Sequence, residues 1–322
     1  MSLLAIVRIN SLPREVWNVR LRPRFMLAVH GGAGAFWREQ LSPEEECANL
    51  EALESALRRG HDMLGRGSSS LDAVQAAIQV LEDSPCFNAG RGAALTSEGT
   101  TELDAAIMDG YTLATGAVVG VQRVKNPIVL ARLAMERTPH GLVAGACGDA
   151  FARSEGMAQV PNYYSLPQRR WNRLQQVRAG QAIACGRYGT VGAVALDAWG
   201  HLAAGTSTGG VTNGRPRRIG DSALIGTGTY ANGHRAVSAT GARDCFIRNT
   251  VAFDICARPE HLGTSLAAAA DEVVMWRLVA QGGEGGVIAL DREGNVAMPF
   301  NTEGMFRGRI GPDGRAEVEL YG

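Results

Sequence analysis

The 322-residue sequence predicts an α+β fold in which antiparallel sheets are covered by helices. Three observations lead there. The segment from Gly192 to Ala203 is echoed by the segment from Gly286 to Ala297: each is an apolar run, an Asp-x-x-Gly turn and a second run, which is a hairpin signal. Several stretches carry apolar residues at the i, i+3, i+4, i+7 spacing of an amphipathic helix. The strands also cluster in hairpins instead of alternating with helices, which argues against a parallel βαβ sheet.

Taken in chain order, residues 1–24 are basic and aperiodic and read as an N-terminal extension outside the domain. Leu27-Ala28-Val29 is the first buried strand. Ser42-Pro43-Glu44-Glu45 is a capping box with proline at the first helical position, opening a helix with Cys47, Leu50, Leu53 and Leu57 on one face. Ser70 can cap a second helix bearing Val74, Ala77, Ile78 and Leu81. Further helices are expected at 128–137, 142–154, 244–256 and 262–280. Between Ser154 and Gly186 periodicity fails, and Arg169, Arg170, Arg173 and Arg178 cluster among polar residues, so this stretch reads as a surface linker.

Composition narrows the function. Thirty-two basic side chains balance 32 acidic ones, so net charge attracts neither nucleic acid nor membrane surfaces. Six cysteines and six histidines show no zinc spacing, and the thiols are expected to be reduced and partly buried. His30 adjoins a glycine loop and reads as a structural hydrogen-bonding group. The apolar start, Met1 to Val7, is too short for a secretory leader, and no stretch approaches a membrane span. A cytoplasmic protein is expected.

The most informative stretch is Gly189-Thr190 ahead of the apolar run Val191 to Leu196. If the bond between them breaks, Thr190 carries a hydroxyl nucleophile and an α-amine base on one residue; that amine titrates at roughly 7.7–8.0. Competing motifs fail. His30-Gly31-Gly32-Ala33-Gly34 lacks the third glycine of a dinucleotide loop in register, and the chain has neither a G-x-S-x-G elbow nor a Walker lysine.

Downstream come Gly205-Thr206-Ser207-Thr208-Gly209-Gly210, Arg217-Arg218-Ile219-Gly220-Asp221-Ser222, Gly226-Thr227-Gly228 and Ala239-Thr240-Gly241. Upstream lies Phe87-Asn88-Ala89-Gly90-Arg91-Gly92. In this order, from about Phe25 to the C-terminus, the set closely resembles the plant-type asparaginase and isoaspartyl peptidase family of N-terminal-nucleophile hydrolases.

The resemblance implies a four-layer αββα sandwich with two antiparallel sheets between helix layers. It also implies one domain self-cleaved into residues 25–189, behind the 1–24 extension, and residues 190–322. By that resemblance Gly189–Thr190 is the cleavage site and Thr190 the nucleophile, with Thr208 its threonine partner. Thr240 and Gly241 form the oxyanion hole, and Asn88 stands beside the nucleophile. Arg218 and Asp221 clamp the α-carboxylate and α-ammonium of a small amino-acid substrate, a sensible division for a guanidinium and a carboxylate.

Leu81, Glu82, Ser84, Phe87, Ala89 and Arg91 fall where family members hold a structural sodium, and no cofactor is implied for catalysis. Two departures stand out: Ala223 replaces a usual proline, and Arg243 replaces a usual glycine at the rim of the substrate pocket. There Arg243 is expected to favour β-aspartyl dipeptides over asparagine. The implied activity is hydrolysis of L-asparagine and/or β-aspartyl isopeptide bonds by a homodimer of cleaved protomers. Glycosylasparaginase or threonine protease activity on the same fold, or an uncleaved ligand-binding relative, are the alternatives.

Overall fold

The computed structural model describes residues 25–34, 41–165, 167–181, 189–242 and 244–322. The 1–24 extension and Arg243 therefore lie outside the described residues. Twelve strands are described: β1 (Met26–Gly34), β2 (Leu103–Asp109), β3 (Thr115–Val121), β4 (Leu142–Ala144), β5 (Val191–Leu196), β6 (Leu202–Thr208), β7 (Thr229–Ala231), β8 (Arg235–Ala242), β9 (Glu284–Asp291), β10 (Val296–Ala297), β11 (Gly304–Ile310) and β12 (Ala316–Glu319). They form an eight-stranded sheet in the order β12-β11-β1-β5-β6-β2-β3-β4 and a four-stranded sheet in the order β10-β9-β8-β7. Every pairing is antiparallel except β3 with β4. Both echoed segments are hairpins. In each turn the aspartate side chain accepts from backbone N–H groups: Asp197 from Trp199 and His201, Asp291 from Glu293 and Asn295.

Helices α1 (Pro43–Gly65), α2 (Ser70–Asp83) and α3 (Pro127–Arg137) cover the outer face of the large sheet. There Leu53, Leu57, Ile78, Leu81 and Ile128 pack on Leu27, Val29, Val191 and Ala193. The Ser42 capping box forms as its sequence predicts. On α1, however, Cys47 is exposed and Leu50 half-buried; Asn49, Leu53, Ala56, Leu57, Gly60 and Leu64 are buried instead. The cap of α2 is Ser69, which pairs reciprocally with Asp72, while Ser70 is the first helical residue and donates its N–H to Asp197.

The segment 142–154 opens as the short strand β4 and becomes α4 (Gly145–Ser154) only after Gly145 takes a left-handed φ of 50°. The stretch read as a linker contains α5 (Gln168–Arg178), whose buried residues are Arg170 and Leu174. Its anchors are guanidinium groups: Arg170 Nε donates to the Gly92 carbonyl at 2.6 Å and Arg178 Nη2 to the Ser97 carbonyl at 2.6 Å.

On the other side, α6 (Cys245–Arg248), α7 (Val251–Leu262), α8 (Leu266–Asp271) and a π-helical run (Glu272–Leu278) complete the architecture. Phe246, Ile255, Val273 and Leu278 of this layer pack on Val237, Ala239 and Val287 of the small sheet. The helix expected over 244–256 is broken by Thr250, which sits at φ 44°.

Between the sheets, Val194, Leu196 and Ala204 face Ala236, Ile288 and Leu290. A buried polar chain crosses the same space. His30 Nε2 lies 2.9 Å from Ser238 Oγ, Ser238 Oγ 2.7 Å from Thr206 Oγ1, and Thr229 Oγ1 donates to Thr206 Oγ1 at 2.6 Å. Two of these residues belong to each sheet, so hydrogen bonds as well as apolar packing fix how the layers sit. Burial pushes the His30 imidazole down to about 3, against the opposing pull of the Thr190 backbone. His30 is thus a neutral structural group, as its sequence context suggests. The layers run helix, sheet, sheet, helix. Among the described residues no helix is long and apolar enough to cross a membrane.

Glu82, at the end of α2, is fully buried. Its Oε1 accepts from Ser207 Oγ at 2.7 Å and from Ile128 N–H at 3.0 Å, while Oε2 has no partner. Burial pushes its carboxyl up to about 8, against the Ser207 and Ile128 hydrogen bonds. Between the unfolded and folded pKa values the folded state therefore holds a proton that the unfolded state has released. Stability falls as pH rises through that window. Glu82→Gln, which keeps the accepting oxygen and cannot ionise, is expected to reduce the drop in urea midpoint between about pH 5 and about pH 8. Part of the slope should persist, because burial also raises Asp104 and Asp221. Parallel wild-type and variant profiles would exclude Glu82 as a source.

Candidate active site

The site forms where β5 and β6 of the large sheet meet the C-terminal end of β8. Thr190 immediately precedes β5 and Thr208 ends β6. Strand β1 has a register shift between His30 and Gly32, and Gly32 at φ 109° passes so close that a Cβ there would lie 2.8 Å from Gly189 Cα. Only glycine lets the first strand press against the backbone of this pair.

Around that backbone the hydrogen bonds form a connected set. Thr190 Oγ1 donates to Thr208 Oγ1 at 3.2 Å, Gly210 N–H donates to Thr208 Oγ1 at 3.2 Å, and Thr208 Oγ1 donates to the Gly189 carbonyl at 3.3 Å. The same carbonyl accepts from Asn88 Nδ2 at 2.7 Å. Asn88 is itself fixed: Nδ2 also donates to the Gly210 carbonyl at 2.6 Å, and Oδ1 accepts from Ala94 N–H at 2.7 Å. Two donors converge on one peptide carbonyl, and a hydroxyl on the next residue is joined to one of them. That arrangement can stabilise negative charge developing on the carbonyl oxygen.

A small pocket of about 30 Å³ opens over Thr190, lined also by Thr208, Arg218, Asp221 and Gly241. Five residues from position 190 to position 241 thus meet at one opening. Thr240 lies just beneath, fully buried, its Oγ1 accepting from Ala33 N–H at 3.4 Å. The two substrate-clamp candidates differ in environment. Arg218 reaches outward and pairs with Asp244 through Nη2 and Oδ1 at 3.1 Å. Asp221 is enclosed, with Oδ2 buried and without a hydrogen-bond partner. Burial pushes its carboxyl up to about 6, against its own backbone N–H and the Arg218 charge. An enclosed carboxylate oxygen with nothing bound to it is suited to a cationic ligand group.

One supporting residue escaped the sequence reading. Asp104 on β2 sits opposite Thr208 in the ladder. It accepts from Gly120 N–H at 2.8 Å and from the Gly220 backbone, next to Asp221. A lone carboxylate inside the apolar run Leu103 to Met108 was the available signal, since a charge in a buried strand requires fixed partners. Arg243 lies outside the described residues. Ala223, the milder departure, is buried against Ala106, Ala117 and Val119.

The six sodium-site residues wrap the end of α2 and the following loop. The N–H groups that would ordinarily satisfy the Leu81 and Glu82 carbonyls are missing or engaged: residue 85 is proline, and Cys86 N–H donates to Ser84 Oγ. At Gly92 a Cβ would lie 1.9 Å from the Phe87 carbonyl oxygen and 2.8 Å from that of Pro85. The Phe87 and Pro85 carbonyl oxygens thus lie against Gly92, whose own N–H donates to the Ala89 carbonyl at 3.0 Å, and uncharged backbone oxygens of this kind are the donors a hard cation takes. Among the described residues no cluster of three or more His, Cys, Asp or Glu could hold a metal.

The family described as Asparaginase matches residues 23–320. The chain is similar to the isoaspartyl peptidase of Salmonella typhimurium, 50% identical over 294 residues, covering 88% of this chain and 94% of the relative. It is 48% identical to the isoaspartyl peptidase of Escherichia coli, covering 88% and 91%. It is also 39% identical to the probable isoaspartyl peptidase/L-asparaginase 2 of Arabidopsis thaliana, covering 92% and 98%.

Proposed function

The chain belongs to the asparaginase family, and on that premise we propose that it is a self-cleaving amidohydrolase acting on L-asparagine and β-aspartyl dipeptides. The observation that carries the reading is the Thr208 hydroxyl, which joins the Thr190 hydroxyl to the Gly189 carbonyl that Thr190 would attack. In maturation, Thr190 Oγ1 adds to that carbonyl carbon while Asn88 and Thr208 hold the oxyanion. The C–N bond breaks, the nitrogen takes the hydroxyl proton and becomes the neutral Thr190 amine, and water hydrolyses the resulting ester. Chains 1–189 and 190–322 result, the first carrying the 1–24 extension.

Turnover repeats the chemistry on a substrate. The free amine takes the Thr190 hydroxyl proton as Oγ1 attacks the β-carbonyl, then passes it to the leaving amine. Ammonia leaves from asparagine and an amino acid from a dipeptide, and water releases aspartate from the ester. Thr240 and Gly241 border the position of the oxyanion. Arg218 receives the α-carboxylate, and Asp221 offers its unoccupied oxygen to the α-ammonium. Incubating purified protein with asparagine and with a β-aspartyl dipeptide, and measuring aspartate released, tests the reading. Aspartate from neither substrate would overturn it.

The reading extends to a bound structural sodium, held by carbonyl oxygens among Leu81, Glu82, Ser84, Phe87, Ala89 and Arg91, which would supply positive charge at a helix C-terminus and stiffen the loop carrying Asn88. A higher melting temperature in sodium chloride than in choline chloride of equal ionic strength is expected; equal values would remove the ion. Five described cysteines are free thiols, in keeping with a reducing cytoplasm. A homodimer of cleaved protomers would cover Phe253, Leu262, Met275, Trp276 and Val279, which stand exposed on the outer helix layer.

A further inference from the structure

Beside the small pocket over Thr190 lies a larger cavity of about 400 Å³, within the range of small-molecule sites. Arg218 lines both. The larger cavity presents Val119 and Ile219 as apolar surface and Arg217 as a cation. Its acidic neighbours are already engaged by other donors. Glu102 Oε2 accepts from the Arg217 backbone N–H at 2.6 Å and Oε1 from Gln122 Nε2 at 3.4 Å. Both Asp149 oxygens accept from backbone N–H groups of residues 122 and 123.

Arg217 is unusual in two respects. Its backbone sits at φ 66°, in the left-handed region that a non-glycine residue enters at a cost. The Glu102 hydrogen bond holds it there. Its guanidinium makes no ion pair among the described residues, whereas the adjacent Arg218 is paired with Asp244. A strained position thus carries an unpaired cation lining a cavity that shares a wall with the catalytic pocket.

We propose that this cavity receives the leaving amino acid of a β-aspartyl dipeptide, and that Arg217 pairs with its terminal carboxylate. The inference rests on the amidohydrolase reading and adds to it a specificity residue. A β-aspartyl dipeptide has two carboxylates. Arg218 takes the one on the aspartyl half, leaving the other for the neighbouring guanidinium. Asparagine releases only ammonia and has nothing to place in the cavity, so Arg217 discriminates by supplying affinity that asparagine cannot use.

The test compares β-aspartyl-leucine, its C-terminal amide and L-asparagine as substrates. Leucine suits the apolar wall, and the amide removes only the carboxylate charge. In the wild type, kcat/KM for the free acid should exceed that for the amide by about tenfold, the scale of one charge-assisted hydrogen bond. Arg217→Gly, which keeps the left-handed backbone without strain, should bring that ratio near one and leave asparagine hydrolysis unchanged. Arg217→Lys should restore part of it.

An acid-to-amide ratio that is the same in wild type and Arg217→Gly overturns the subsite while the amidohydrolase reading stands. Asparagine hydrolysis falling in parallel with the dipeptide overturns it too, since Arg217 would then act by holding Arg218. Wild-type protein that hydrolyses none of the three substrates removes the underlying reading, and the subsite with it.

Discussion

Thr190→Ala is expected to persist as a single 322-residue chain on denaturing electrophoresis and to release no aspartate from either substrate. The proposed mechanism uses one oxygen atom twice, first against the Gly189 carbonyl and then against the substrate. Its removal ends both steps, and no other hydroxyl stands on the residue that follows the scissile carbonyl. Thr208 cannot substitute, because it is engaged as donor to the Gly189 carbonyl and acceptor from Gly210. Thr190→Ser keeps the oxygen and should still be processed. Mass spectrometry distinguishes the outcomes: fragments of residues 1–189 and 190–322 from the alanine variant would remove Thr190 from its assigned role.

Arg218→Ala and Asp221→Ala should each lower kcat/KM by roughly ten- to a hundredfold or more while melting near the wild-type temperature. Losing a charged partner for a desolvated substrate group costs about 1.5–3 kcal/mol or more. Neither side chain is needed for packing. Arg218 extends outward to the exposed Asp244. Asp221 leaves a buried oxygen unsatisfied, so removing it relieves a cost within the free protein.

Asp221 also predicts a pH dependence. Its carboxyl, pushed up to about 6 by burial, must be ionised to attract an ammonium group. Activity should therefore rise with pH through about 6, and Asp221→Asn should lose that acid limb along with most of its activity. A variant that hydrolyses substrate at the wild-type rate would dissolve the clamp.

The candidate site was legible through resemblance: short glycine-flanked motifs around Thr190, Thr208, Arg218, Asp221 and Gly241 stand in the family's order, and the structure brings those five residues to one opening. The hairpins were legible for a similar reason, since an aspartate capping its own turn leaves a local signature. What escaped depends on partners far away in sequence. Helix α5 is polar and has little apolar face to detect; it is held by Arg170 and Arg178 on carbonyls of residues 92 and 97. Asp104 and the hydroxyl chain through Ser238, Thr206 and Thr229 gain their meaning only when two sheets are stacked. The shift from Ser70 to Ser69 at the cap of α2 is the ordinary ambiguity of adjacent serines, decided by which one faces Asp72.

Strand β1 runs between β11 and β5, and β2 lies against β6. If the Gly189–Thr190 bond is cut as proposed, each of those three ladders joins one polypeptide to the other. The large sheet then draws strands from both products, and neither retains it whole, although residues 190–322 keep all four strands of the small sheet. Maturation then changes what denaturation means. An intact chain that unfolds keeps its halves tethered and can refold as one molecule. The cut protein unfolds into two diffusing species, and recovery becomes a second-order encounter that dilution slows and translational entropy opposes. The proposed cut would thus give the folded state a memory: after one full melting at low concentration, the separated chains would re-form the fold only slowly.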